Sequence, residues 1–158
     1  MHPRLCLIVF CIFLNGCSTN SWTFHKDVDP LTDYTNEYAE LVSYSHTLGG
    51  RNTFAVVKVG CGPSGIYINF HSAESTSQVS YRIDGNPPVS ATVESPLIAA
   101  GIGVTLLGDA ATDFVQQATV GSVLFVRRQD LSALTQSDHT FDLAGGKSEL
   151  SKAIAGCN

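Results

Sequence analysis

Few residues in this 158-residue chain have the types and spacing that could do chemistry. Beyond the first segment the histidines are His25, His46, His71 and His139, with no two within about ten residues of each other. A local metal site needs ligands one helical turn or a short loop apart, so this spacing excludes a metal motif. Ser64 lies in Gly62-Pro63-Ser64-Gly65. A nucleophile elbow needs a G-x-S-x-G turn from strand to helix, and a strand pattern follows here, so Ser64 reads as a turn serine. Gly60, Gly62 and Gly65 satisfy G-x-G-x-x-G, yet no helix opens after them and no βαβ unit surrounds them. They read as a hairpin loop.

Asp27, Asp29 and Asp33 form an acidic cluster that could begin a calcium loop. The sixth and twelfth places of such a loop require Gly and Glu; here they hold Thr32 and Tyr38. The cluster therefore reads as a turn whose carboxylates cap backbone amides. In Gln78–Asp84, Arg82 and Asp84 alternate away from Val79, Tyr81 and Ile83, as a cross-strand pair or a binding spot. Asp29, Asp33, Arg82 and Asp84 are thus the candidate binding residues. No catalytic residue, metal ligand or small-molecule cofactor is expected. The Arg127-Arg128 doublet reads as a solvated strand end.

Composition narrows the class. The chain is 44% apolar and 15% charged, which excludes a disordered tail, a collagen-like repeat and a polytopic membrane protein. A net charge of −5 disfavours a phosphate backbone as partner, so no nucleic acid is expected.

The elements that must carry these residues follow from periodicity. Trp22–His25 could be a first strand, and Lys26–Asn36 is turn-rich. Glu37–Ser45 sets Tyr38, Glu40, Val42 and Tyr44 on one face as a strand, with a short helix as competitor. Thr53–Gly60 and Ile66–Phe70 read as a hairpin about a Cys61–Gly65 turn, and Gln78–Asp84 and Val89–Glu94 as another about Gly85–Pro88. Ser95–Gly108 is apolar and glycine-broken, a buried connection or irregular strand. A short helix over Ala110–Ala118, capped by Asp109, precedes strands at Gly121–Arg127 and Thr140–Leu143. Lys147–Ala155 has helical spacing. The expectation is a mainly β single domain over 22–158: an antiparallel β-sandwich or barrel-like fold with one or two short helices, one of them C-terminal.

Residues 1–16 read as a signal peptide. Arg4 supplies the positive start, and Leu5–Leu14 is an uncharged apolar stretch of about 15 Å as a helix, half a bilayer core. Leu14-Asn15-Gly16-Cys17 resembles the bacterial lipobox. That resemblance implies cleavage before Cys17, a diacylglycerol on its thiol, an acyl chain such as palmitate on its amine, and a tether over 17–21. The competing reading is an ordinary secretory peptide cut nearby. Ser18 after the Cys resembles an outer-membrane address in a Gram-negative envelope. Once Cys6 and Cys11 leave with the leader and Cys17 carries lipid, Cys61 and Cys157 remain. In an oxidising compartment that pair reads as one disulfide, against two unpaired buried thiols.

Trp22 with Asp29-Pro30-Leu31-Thr32-Asp33, the Tyr81–Asp84 strand with Pro87-Pro88, Phe125-Val126-Arg127, and the Phe141–Gly145 and Ala153…Cys157 ending are similar to a class of small exported β-proteins. It includes the VasI-like accessory proteins of type VI secretion and the invasion-associated locus B family. The resemblance implies an exported β-domain and carries over no catalytic residue. The expected function is non-enzymatic: envelope anchoring through lipid and binding of an envelope protein, as a phage or mobile-element exclusion factor or a secretion accessory. The alternative is a periplasmic hydrolase or hydrolase inhibitor.

Overall fold

The computed structural model describes residues 21–33, 35–46, 52–72, 76–92, 103–130 and 134–157. Residues 1–20, which hold the expected leader, Cys17 and most of the tether, and residues 93–102, which hold the end of the expected Val89–Glu94 strand and the first part of the Ser95–Gly108 segment, lie outside the described residues.

Nine strands and two helices follow one another: β1 (Thr23–Val28), β2 (Thr35–His46), β3 (Asn52–Gly62), β4 (Gly65–Ser72), β5 (Gln78–Ile83), β6 (Val89–Thr92), β7 (Val104–Leu107), α1 (Gly108–Ala118), β8 (Val123–Asp130), β9 (Thr135–Asp142) and α2 (Gly146–Ala153). They make two antiparallel sheets, β1-β2-β3-β4-β7 and β6-β5-β8-β9, and no closed barrel. The mainly β class and the C-terminal helix are as the sequence predicts.

Alternation explains the faces. In β2, Ala39, Leu41 and Ser43 are buried while Tyr38, Glu40, Val42 and Tyr44 look outward, so period two wins over the helical competitor. β5 buries Val79, Tyr81 and Ile83, and β8 buries Leu124 and Val126. The sheets meet through Phe70 of β4 and Tyr81 of β5, stacked at 5.4 Å between centroids. Phe114 of α1 closes on both edge-on, at 5.8 and 5.3 Å. Ala111, Phe114, Val115 and Ala118 recur at one helical face, which seats α1 against β4 and β7.

The packing of α2 is set by small residues. Gly145 adopts a left-handed φ of 79° where the helix starts. A side chain at Gly146 would stand 2.4 Å from the Trp22 indole, so only glycine admits the ring. Leu150 and Ala153 are buried as the helix lies on β1, β2 and β3. Just beyond it Cys157 is bonded to Cys61 of β3, the pairing read from the cysteine count.

Several expectations need correction. Lys26–Val28 extend β1 and Thr35-Asn36 begin β2, leaving a shorter turn. Cys61 and Gly62 belong to β3, because the hairpin needs only Pro63 and Ser64 to reverse direction. Asp109 lies in the first turn of α1 rather than capping it; Leu107 holds the N-cap position without a side-chain bond. Of the arginine doublet, Arg127 is exposed but Arg128 is 3% exposed on the inner face. Strand alternation must send adjacent residues to opposite faces, so the doublet cannot be solvated as a unit.

Candidate functional site

The outer face of the four-stranded sheet is ordered by register into transverse rungs. Ser90 opposes Ser80, Ser80 opposes Arg127 and Arg127 opposes Asp138. On the next rung Arg82 opposes Phe125 and Phe125 opposes Thr140. Gln78, Gln129 and Gln136 form the rung on the other side. Residues two apart along each strand share this face, which is why side chains from β5, β8 and β9 converge.

The polar contacts are specific. Arg127 forks onto Asp138, donating from Nε at 2.9 Å and Nη2 at 2.8 Å. That bond holds the Asp138 carboxyl below the usual 3.8 and raises the Arg127 guanidinium further. The Ser80 and Ser90 hydroxyls bond each other at 2.8 Å. The Arg82 guanidinium lies 5.0 Å over the Phe125 ring, a cation–π contact. Among the described residues, Arg82 has no carboxylate partner. Phe125 is 39% exposed, an aromatic ring facing solvent between two arginines.

Together these side chains line a groove of about 330 Å³ bounded by Ser80, Arg82, Pro88, Phe125, Arg127 and Thr140. Tyr81, Val126 and His139 floor it with side chains that turn inward. Burial, and then the nearby Arg128, keep the His139 imidazole below its ordinary 6.5, so it adds no charge to the groove at neutral pH. A second depression of about 420 Å³ lies beside the disulfide, lined by Lys26, Glu37, Cys61 and Pro63 among others. Its one cation is neutralised by Glu37, 2.6 Å from Lys26 Nζ.

The structure divides the four candidate binding residues. Arg82 lines the groove. Asp84 does not sit beside it: the residue turns into a left-handed φ of 50°, and its carboxylate accepts the backbone N–H groups of Ser122 and Val123, the latter at 2.9 Å. It ties the β5–β6 turn to the start of β8. Asp29 and Asp33 belong to the β1–β2 turn of the other sheet. Asp29 Oδ1 accepts the Leu31 N–H at 2.8 Å, which lowers its pKa, and the Asp29 carbonyl accepts the Asp33 N–H at 2.9 Å. Asp29 thus does the amide-capping work expected of a turn aspartate, while Asp33 joins the turn through its backbone N–H at a left-handed φ of 54°.

The other chemical candidates are dispersed. Ser64 is exposed at the tip of the β3–β4 hairpin and is followed by strand. His71 lies toward the far end of β4, and His139 belongs to the other sheet. His25 stacks on Tyr38 and lies 4.0 Å from Glu40. The His46 side chain lies outside the described residues. Among the described residues no three His, Cys, Asp or Glu side chains could jointly hold a metal ion, and no helix is long and apolar enough to cross a membrane.

Phe125, Arg127, Asp138, Pro88 and Thr140 escape the sequence reading of the site. One signal was available: in Val123-Leu124-Phe125-Val126-Arg127, strict alternation sends Phe125 to the same face as Arg127, which is out of place for a large apolar residue. No protein-family model, curated protein or solved structure matches this chain.

Proposed function

We propose that this protein is a lipid-anchored component of a bacterial cell envelope that acts by binding another envelope protein through the outer face of its four-stranded sheet. In this reading Cys17 carries the lipid, palmitate included, and the anchor holds the β-domain at the outer membrane of a Gram-negative host. Several acyl chains make such attachment effectively permanent. The domain then works by proximity, as a phage or mobile-element exclusion factor or as a secretion accessory of the VasI-like kind.

The observation that carries the reading is the Arg82–Phe125 pair in an open groove. Arginine and aromatic rings dominate the energetics of protein interfaces, because both bury large planar surfaces while keeping directional contacts. The groove offers two guanidiniums, a ring, a proline and hydroxyls, which is recognition chemistry. The hydrolase alternative would draw on Ser64, which stands exposed at the tip of the β3–β4 hairpin and does not line the groove.

Photo-crosslinking from position 125 in intact membranes tests the proposal, with Thr105 on the other sheet as control position. The expected result is a discrete adduct with an envelope protein from position 125, absent from position 105 and lost in Cys17→Ala. Equal labelling from both positions, or labelling that survives Cys17→Ala undiminished, overturns it. Incorporation of labelled palmitate into the wild type but not into Cys17→Ala checks the anchor separately.

A further inference from the structure

We infer that the groove recognises a single carboxylate on a partner peptide: Arg82 takes the carboxylate beside Arg127, and an apolar neighbour of the acidic residue packs on Phe125 against Pro88. The inference rests on the protein-binding reading above and names the chemistry of the ligand.

Four observations lead to it. The first is that Arg82 has no ion-pair partner among the described residues, while Arg127 is already forked onto Asp138 through Nε and Nη2. Arg82 therefore presents a guanidinium that lies over the Phe125 ring and whose donors are left to a ligand. A planar, bidentate acceptor such as a carboxylate suits that fork.

The second is register. Arg82 opposes Phe125 and Ser80 opposes Arg127, so the two arginines are diagonal neighbours on adjacent strands. Diagonal positions lie roughly 7–8 Å apart, within reach of two long side chains converging on one ligand group.

The third is charge. Two guanidiniums and the Asp138 carboxylate leave one positive charge in the groove, since His139 is neutral. A monoanion matches that charge. A phosphate dianion would be undercompensated and would lie near the Asp138 carboxylate. An anionic lipid surface fits less well still, because the chain as a whole carries −5.

The fourth is the apolar wall. Phe125 stays partly exposed and Pro88 stands at the groove's edge, so a Leu, Met or Phe next to the carboxylate would find an apolar seat. The Thr140 hydroxyl on the same rung is placed to bond a peptide amide.

The test uses the full lipidated chain in non-ionic detergent, probed with an array of octapeptides of randomised sequence. The expected result is enrichment of Asp or Glu next to Leu, Met or Phe. For the best binder, replacing its acidic residue by Gln or by phosphoserine should weaken binding about tenfold or more. Arg82→Gln should weaken the acidic peptide by about the same factor and leave the Gln peptide unchanged, a double-mutant signature of direct pairing. Arg82→Lys, which keeps the charge and the stem over Phe125, should retain part of the affinity. An array without acidic enrichment overturns the inference. So does tighter binding of the phosphoserine peptide or of phosphatidylglycerol vesicles, and so does wild-type affinity in Arg82→Gln. If position 125 still crosslinks an envelope protein under any of those outcomes, the protein-binding reading stands and only the carboxylate assignment falls.

Discussion

The outer faces of the two sheets are both polar, yet among the described residues only the four-stranded one leaves a Lys or Arg without a carboxylate partner. On the five-stranded sheet Lys58 Nζ lies 3.2 Å from Glu40 and 4.7 Å over the Tyr38 ring. His25 stacks on the other side of the same cluster, 4.9 Å from Tyr38, whose hydroxyl donates to Asp27 at 3.1 Å. Tyr67 lies across Gly60, where a side chain would meet the phenol oxygen at 2.5 Å, and Asn69 donates to Thr105 at 2.9 Å. Lys58, the cation of that face, is matched by Glu40 directly opposite on the next strand. On the four-stranded sheet the same ladder logic satisfies Arg127 through Asp138 and Ser80 through Ser90, but leaves Arg82 lying on a ring. Surface charge alone therefore carries little functional signal. The informative feature is a strong donor that its own sheet leaves to a ligand.

The strongest way to break the comparison is to loosen the body that holds both faces. Replacing Cys61 and Cys157 by Ser opens a link across a sequence separation of 96 residues. The chain-entropy account puts the loss at about 4–5 kcal/mol, read by denaturant unfolding, while acidic-peptide affinity of the still-folded fraction should not change. The bond joins α2 to the other sheet, so a large fall in peptide affinity below the melting transition would mean that the two faces are not independent.

A smaller effect is expected at Asp84, whose carboxylate accepts the N–H groups of Ser122 and Val123. Asp84→Asn should cost about 1.5 kcal/mol in chemical denaturation, since charge-assisted bonds to backbone donors are lost. Peptide binding should weaken only as far as the start of β8 shifts.

Asp138→Asn sharpens the comparison directly. The pair with Arg127 is solvent-exposed, so stability should change by less than about 1 kcal/mol. Freed of its carboxylate, Arg127 should raise acidic-peptide affinity several-fold, and an unchanged affinity would argue that Arg127 does not reach the ligand. In the wild type the Asp138 carboxyl is lowered from 3.8, so the pair's contribution to stability is complete above that value and is lost as the pH falls through the lower one.

The smallest effect tests the matched face. Burial, with the Asp27 bond next, pushes the Tyr38 phenol up to about 12 from an ordinary 10.0. Ultraviolet titration should find Tyr38 ionising late, with the buried Tyr81 also raised above the ordinary value, and Asp27→Asn should bring the Tyr38 step down. Because the folded state holds that proton more tightly, the contribution to stability is whole below pH 10 and is lost as the pH rises toward 12. Neither change should touch peptide binding.

Much of the frame is legible in the sequence. Val79, Tyr81 and Ile83 alternate with Ser80 and Arg82, and that alternation became a strand buried on one side. Asp29-Pro30 and Gly85–Pro88 marked real turns, because proline and glycine act locally on φ. The site was legible only at Arg82. Phe125 and Asp138 hid because nothing in their own segments says which strand lies beside them. Asp84 looked like Arg82's partner because a strand template sent both outward, but its positive φ ends the strand and turns the carboxylate to other amides.

The amino-acid sequence by itself determined what local physics controls: the period of most strands and the positions of reversal. Only the tertiary structure decided that β5 pairs with β8 rather than β7, that Arg128 turns inward while Arg127 turns out, and that Arg82 comes to rest on Phe125. Strand pairing is a contact between distant segments, won by the total burial of two facing sheets, and no window of sequence contains both partners.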